Sequence, residues 1–220
     1  MPVQYKMGSG GSKKSNSSYK LTYFNARGRG EVARLCFAVA GVKYEDVRIE
    51  QADWPALKPK MPLGFMPLLE VDGKPLSQSM AINRLLARRF GLYGETDFEQ
   101  AKIDEIMDTA ADFGPEIIKA IFSQDEAAKA AAIKALTDQF IPFYLEYLEK
   151  TLNDNKSGSG YLVGRKLSVA DLMVFVVLET LESVVPSSVD KYPKVRDHSI
   201  KIGVNSNIAR HVANRPKTSF

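Results

Sequence analysis

Cysteine occurs once in the 220 residues, at Cys36, and histidine only twice, at His198 and His211. A single cysteine excludes an internal disulfide, and three such residues so far apart leave a zinc cluster or a Cys/His dyad little to work with. Tryptophan occurs once, at Trp54. Long apolar runs are missing as well: the longest, Leu172 to Leu178, falls far short of the roughly 20 residues a bilayer span needs. Nor does the N-terminus carry the apolar core of about 7 to 15 residues expected of a secretory signal. These absences point to a soluble protein of a reducing, cytoplasmic compartment, with no membrane partner.

What is present is ordinary globular composition, 45% hydrophobic and 25% charged, enough for one large domain or two small ones. The net charge of +4 hides an asymmetry. Residues 1–90 hold fifteen Lys/Arg against seven Asp/Glu, and residues 91–220 hold fifteen against nineteen. A basic half suits nucleic acid, but the charges are scattered, with no aromatic-studded strand or recognition helix among them. A small anionic ligand fits better.

Residues 1–18 are rich in Gly, Ser, Lys and Asn, a disordered extension by composition. Met7-Gly8-Ser9-Gly10-Gly11-Ser12 has the form of an N-myristoylation signal, followed by Lys13-Lys14. That modification needs Gly8 directly after the initiator, so a flexible linker is the expectation.

From Lys20 the pattern becomes regular. Lys20 to Asn25 is aromatic and β-branched, and Glu31 to Ala40 places Val32, Leu35, Cys36 and Val39 on one helical face. Tyr44 to Ile49 reads as a second strand and Leu68 to Val71 as a third. Asp72-Gly73 marks a hairpin into a short fourth strand, Lys74 to Leu76. Ser79 to Phe90 is helical again. Gly91 to Asp97 reads as a linker, and everything after it as helix: Phe98 to about Phe122, Asp125 to Leu152, Val169 to about Val185, Lys194 to Gly203 and Ile208 to Asn214. Ser168 and Asp171 form a capping box at the start of the third of these, with Leu167 and Leu172 at the staple positions.

A small mixed α/β domain followed by helices, together with YKLTYFNARGRGE, YEDVRI, ADWPALKPKMPLGFMPLLEVDG, QSMAI, the SVAD box and a closing RPKTSF, resembles the cytosolic glutathione transferases. The likeness is closest to the sigma class, which includes haematopoietic-type prostaglandin D synthases and S-crystallins, and it runs from about Tyr19 to Phe220. It implies an α+β fold: a thioredoxin-like β-α-β-loop-β-β-α domain with its linker over 19–97, then an all-helical domain over 98–220. It also implies glutathione as cosubstrate with no permanently bound cofactor, and a homodimer.

The resemblance assigns roles residue by residue. Tyr23 donates a hydrogen bond to the glutathione sulfur, and Arg29 adds positive potential beside it. Trp54 and Lys58 take the glycyl end. Gly64, Phe65 and a cis Met66-Pro67 present backbone to the cysteinyl unit, and Gln78-Ser79 at a helix start take the γ-glutamyl carboxylate. Asp112 reaches across the dimer to the γ-glutamyl amine. Phe24, Ala26, Arg27, Gly28, Phe113 and Lys119 border the pocket for a small hydrophobic electrophile. Prostaglandin D synthases carry a tryptophan near the position of Lys119, and some sigma-class members have a further carboxylate where this chain has Ala111, so no metal is expected. The implied activity is conjugation of the glutathione thiolate to hydrophobic electrophiles, with hydroperoxide reduction as a further reaction. The alternatives are prostaglandin-H2 D-isomerase activity or a crystallin-like relative with little turnover. Cys36 reads as core.

Overall fold

A computed structural model describes residues 17–218. The myristoylation-like stretch at Gly8 and the end of the RPKTSF motif lie outside the described residues, as does all of the N-terminal extension except Ser17 and Ser18. Regular pairing begins at Ser18, whose carbonyl accepts from the Asp72 N–H at 3.0 Å and whose own N–H donates to Asp72 Oδ1 at 2.8 Å.

Strand β1 (Tyr19–Phe24) runs through a 3-10 turn (Gly28–Gly30) into helix α1 (Glu31–Ala40) and then β2 (Glu45–Ile49). A short helix α2 (Trp54–Leu57) sits in the loop before β3 (Leu68–Val71), which turns into β4 (Lys74–Ser77) and helix α3 (Ser79–Phe90). The sheet order is β2-β1-β3-β4, parallel between β1 and β2 and antiparallel elsewhere. Asp72 and Gly73 both have positive φ, 51° and 75°, the backbone a two-residue hairpin requires if it is to match the twist of its strands.

Helix α4 (Asp97–Asp112) follows, opened by a Thr96/Glu99 capping box. The single helix expected over Phe98 to Phe122 is two, because α5 (Gly114–Phe122) starts anew after Phe113. Pro115 has no N–H to donate back, and its ring would meet the carbonyl four residues earlier, so the helix restarts with proline in its first turn. The expected Asp125 to Leu152 helix is likewise α6 (Glu126–Ala135) and α7 (Ile141–Asp154), joined by a widened π turn over Leu136–Phe140. The Ile141 N–H bonds to the Leu136 carbonyl, and Pro142 just beyond it again lacks the donor a regular turn needs. Helices α8 (Val169–Val184), α9 (Pro193–Gly203) and α10 (Ser206–Asn214) complete the chain, the last capped by the Asn205 side chain.

The core is continuous across both parts. Leu21, Leu35, Phe37, Leu69, Ile82 and Leu86 pack in the α/β part, and Ile103, Met107, Leu145, Leu148 and Val174 in the helical part. Helix α1 packs against α3, α8 and α10, so the element that follows β1 also carries the junction. Among the described residues no helix is long and apolar enough to cross a membrane.

Candidate active site

The β1–α1 turn closes onto Tyr23. Its ring is buried, and its hydroxyl oxygen accepts the Arg29 N–H at 3.0 Å. Gly28, at φ 38°, leaves room for that contact, since a Cβ there would lie 2.7 Å from Tyr23 Oη. Burial raises the Tyr23 pKa, against the Arg29 N–H and the charges of Arg29 and Arg34, which lower it. The phenol therefore keeps its proton at neutral pH. With its oxygen lone pair engaged by Arg29, that proton is the group left to donate. The Arg29 side chain itself is exposed, so its observed contact with Tyr23 is through backbone.

Sheet register gathers the remaining candidates at the same end. Thr22 pairs with Leu68, and Leu68 with Ser77; continuing both ladders one step sets Pro67 between Tyr23 and Gln78. The Met66-Pro67 bond is cis, as expected, and Met66 is buried. Gln78, at φ 76° and ψ 111°, stands immediately before the first residue of α3. A non-glycine residue in that region is costly, and such backbone clusters at functional sites. Ser79 follows Gln78 as the first residue of α3. The Phe24 ring meets Trp54 edge-on at 5.5 Å, which brings α2 and the exposed Lys58 just after it to the same place. Gly64 and a half-exposed Phe65 complete the loop before Met66.

The second-substrate candidates are less gathered. Ala26 is buried in the turn, and Arg27 lies inward, its guanidinium 3.9 Å from Glu179 of α8. Phe113 is buried and packs on Tyr144 at 4.7 Å, on Phe140 at 5.8 Å and on the exposed Phe143 at 6.2 Å. Lys119 is exposed and paired with Glu116 at 2.8 Å, and Asp112 is exposed at the end of α4.

Residues 19–88 match the family model of the glutathione S-transferase N-terminal domain, and residues 111–215 that of the C-terminal domain. Over 205 residues the chain is 43% identical to glutathione S-transferase 1 of Ascaris suum, covering 92% of this chain and 98% of that protein. The chain belongs to the glutathione S-transferase family. It is also 43% identical to a hematopoietic prostaglandin D synthase of Gallus gallus, over 92% of this chain and 99% of that one. A monomeric glutathione S-transferase of the hookworm Necator americanus superposes with a TM-score of 0.83 at 36% identity, covering 92% of this chain and all of its own. The fold is accordingly a thioredoxin-like domain followed by a helical one, and glutathione is the cosubstrate of a transferase with no permanently bound cofactor.

The cysteine of this transferase is inert. Burial pushes the Cys36 thiol up to about 12, far from the thiolate that a nucleophile requires.

Sequence reasoning missed a group of buried ions next to the transferase's Tyr23 turn. Arg34 is fully buried and donates to the Ala26 carbonyl at 2.6 Å, to Asp46 Oδ1 at 3.1 Å and to Glu31 Oε2 at 3.2 Å. Glu31, also fully buried, accepts through Oε1 from His211 Nε2 at 2.9 Å and Arg215 Nη1 at 3.0 Å. Nothing local marks these residues, because the partners are 180 and 184 positions apart. Burial alone would raise the Glu31 carboxyl, but the hydrogen bond and charge of His211, with Arg34 and Arg215, hold it down at about 2 against an ordinary 4.5. A depressed acid stabilises the fold fully above its unfolded pKa and ceases to do so as pH falls through the folded one. The contribution, about 3 kcal/mol, is therefore present above about pH 5 and lost toward pH 2. Urea denaturation of wild type and Glu31→Gln should show a stability gap that narrows across that interval. A gap independent of pH would mean the carboxylate is not held by these cations.

Proposed function

We propose that this transferase conjugates the glutathione thiolate to small hydrophobic electrophiles and that Tyr23 is the thiol partner. The observation that carries the assignment is the Tyr23 hydroxyl: buried, protonated and bonded on its oxygen by the Arg29 N–H at 3.0 Å. A donor so fixed favours a thiolate over a thiol, and once the sulfur is anionic, catalysis is largely positioning and nucleophile activation. Arg29 adds positive potential. Trp54 and Lys58 hold the glycyl end of glutathione, Gly64, Phe65, Met66 and Pro67 face the cysteinyl unit, and Gln78 and Ser79 bind the γ-glutamyl carboxylate. The electrophile lies against Phe24, Ala26, Arg27 and Gly28, with Lys119 at the rim. Two domains meet in the Gly91 to Asp97 segment. In a homodimer, Asp112 of one subunit serves the other's glutathione; the exposed position of Asp112 suits that role. A cytoplasmic setting fits the lone, buried thiol.

Prostaglandin-H2 isomerisation is the second reading, supported by the avian relative's name and opposed by Lys119, which supplies no aromatic wall. The deciding experiment assays the protein with glutathione against an aryl halide, a hydroperoxide, an alkenal and a prostaglandin endoperoxide. Conjugation of the aryl halide or alkenal is expected. Turnover of the endoperoxide alone would replace the reading by isomerisation, and retention on glutathione resin with no turnover at all would replace it by a crystallin-like role.

A further inference from the structure

We propose that Glu31 is a positioning residue of the transferase reaction, through which the seated C-terminal segment sets the charge and geometry of the Tyr23 turn. The inference rests on the assignment of Tyr23 as thiol partner.

Glu31 opens α1, directly after the Gly28–Gly30 turn that supplies the Arg29 N–H to Tyr23. A carboxylate at a helix start is favourable even on the surface, so the dipole gives no reason to bury it. Burial costs several kcal/mol unless every lone pair is engaged. Here the two oxygens are divided. Oε2 faces the turn: it bonds Arg34, whose guanidinium also holds the Ala26 carbonyl at 2.6 Å and the Phe24 carbonyl at 3.4 Å, and lies 5.9 Å from the centre of the Tyr23 ring. Oε1 faces the C-terminal segment: it bonds His211 on α10 and Arg215 just past its end. Arg215 also grips Glu179 of α8 at 2.8 and 3.2 Å, and Arg27 of the turn approaches the same carboxylate.

This division has an electrostatic consequence. With Arg215 seated, the Glu31 charge is shared among Arg34, His211 and Arg215, and Arg34 retains positive potential toward Tyr23. Without Arg215, Glu31 is left to His211 and Arg34, one cation is gone, and the turn that must favour a thiolate becomes more negative. A cluster that only fastened the chain end would change melting temperature and leave the thiol alone.

Full-length Arg215→Gln and Arg215→Lys distinguish these roles without removing the buried acid. The thiol pKa of bound glutathione is read from thiolate absorbance against pH, beside kcat and KM for an aryl halide and the melting temperature. Arg215→Gln should raise the thiol pKa by about 0.5 to 1 and lower kcat at neutral pH by about 1.5-fold to threefold. KM for glutathione should hold within about twofold, since uniform binding is untouched. Arg215→Lys should restore most of both. A lowered melting temperature with an unmoved thiol pKa in Arg215→Gln would overturn the proposal. Tyr23→Phe, run beside it, separates the two failures: an unmoved thiol pKa there would remove the Tyr23 assignment itself.

Discussion

Replacing Tyr23 by phenylalanine should cut the rate of conjugation with an aryl halide at neutral pH by about 20-fold while leaving the fold intact. The size follows from the thiol. At an ordinary pKa of about 8.5, only about 3% of the sulfur is ionised at pH 7, whereas lowering the pKa by about 2 ionises most of it. That shift requires about 2.7 kcal/mol of preference for the anion, and a hydrogen bond to a charged group supplies about 1.5 to 3 kcal/mol. One hydroxyl is therefore nearly sufficient. The ring stays, so the edge-on contact with Phe24 at 5.6 Å and the packing of the turn glycines stay with it. The Arg29 N–H loses its acceptor at the exposed rim of the turn, costing about 1 kcal/mol of stability. Because the defect lies in ionisation, the gap between variant and wild type should close as pH rises past about 9, where any thiol is ionised. A rate profile against pH checks this. Equal rates at pH 7 would remove Tyr23 from the chemistry, and a gap that persists at high pH would mean it acts by placement rather than by charge.

What could be read from the sequence was local. The strand, turn and helix at Tyr19 to Ala40, the Asp72-Gly73 hairpin and the Ser168/Asp171 box each declare themselves within a few residues, through periodicity, turn chemistry or capping. The helix restart at Gly114 and the π turn before Pro142 were missed, since apolar periodicity runs across both and the prolines signal a break only if weighed above it. The histidines were the larger omission. Judged only as metal ligands, His198 and His211 looked idle, yet each meets a buried carboxylate, Asp171 at 2.8 Å and Glu31 at 2.9 Å. Arg34 lies off the apolar face marked by Val32, Leu35, Cys36 and Val39, yet it is fully buried. Such pairs form between elements far apart in the chain, so no window of sequence contains them, and residue type alone argues against their burial.

The same reasoning makes Asp171→Ala the most destabilising single change expected in this chain. As a capping residue alone Asp171 would matter by about 1 kcal/mol. Its carboxylate does more. Oδ2 accepts the Ser168 N–H at 2.7 Å and the Ser168 hydroxyl at 2.8 Å, while Oδ1 accepts the Leu162 N–H at 2.9 Å and meets His198 Nε2 at 2.8 Å. One side chain thus joins the loop before α8, the start of α8 and helix α9, and all four residues are at most 2% exposed. Alanine leaves those donors buried and unpaired, which should cost about 3 to 5 kcal/mol, or about 10 °C in melting temperature for a chain of this size. By contrast the Lys166–Glu95 pair nearby is 75% and 68% exposed, and water screens it, so its loss should matter far less. Thermal and urea denaturation of Asp171→Ala, Ser168→Ala and Lys166→Ala should rank them in that order. An Asp171→Ala melting temperature within about 2 °C of wild type would mean that water reaches these donors. The α8 start would then be less closed than its burial indicates, and its hold on the face where α1 packs correspondingly looser.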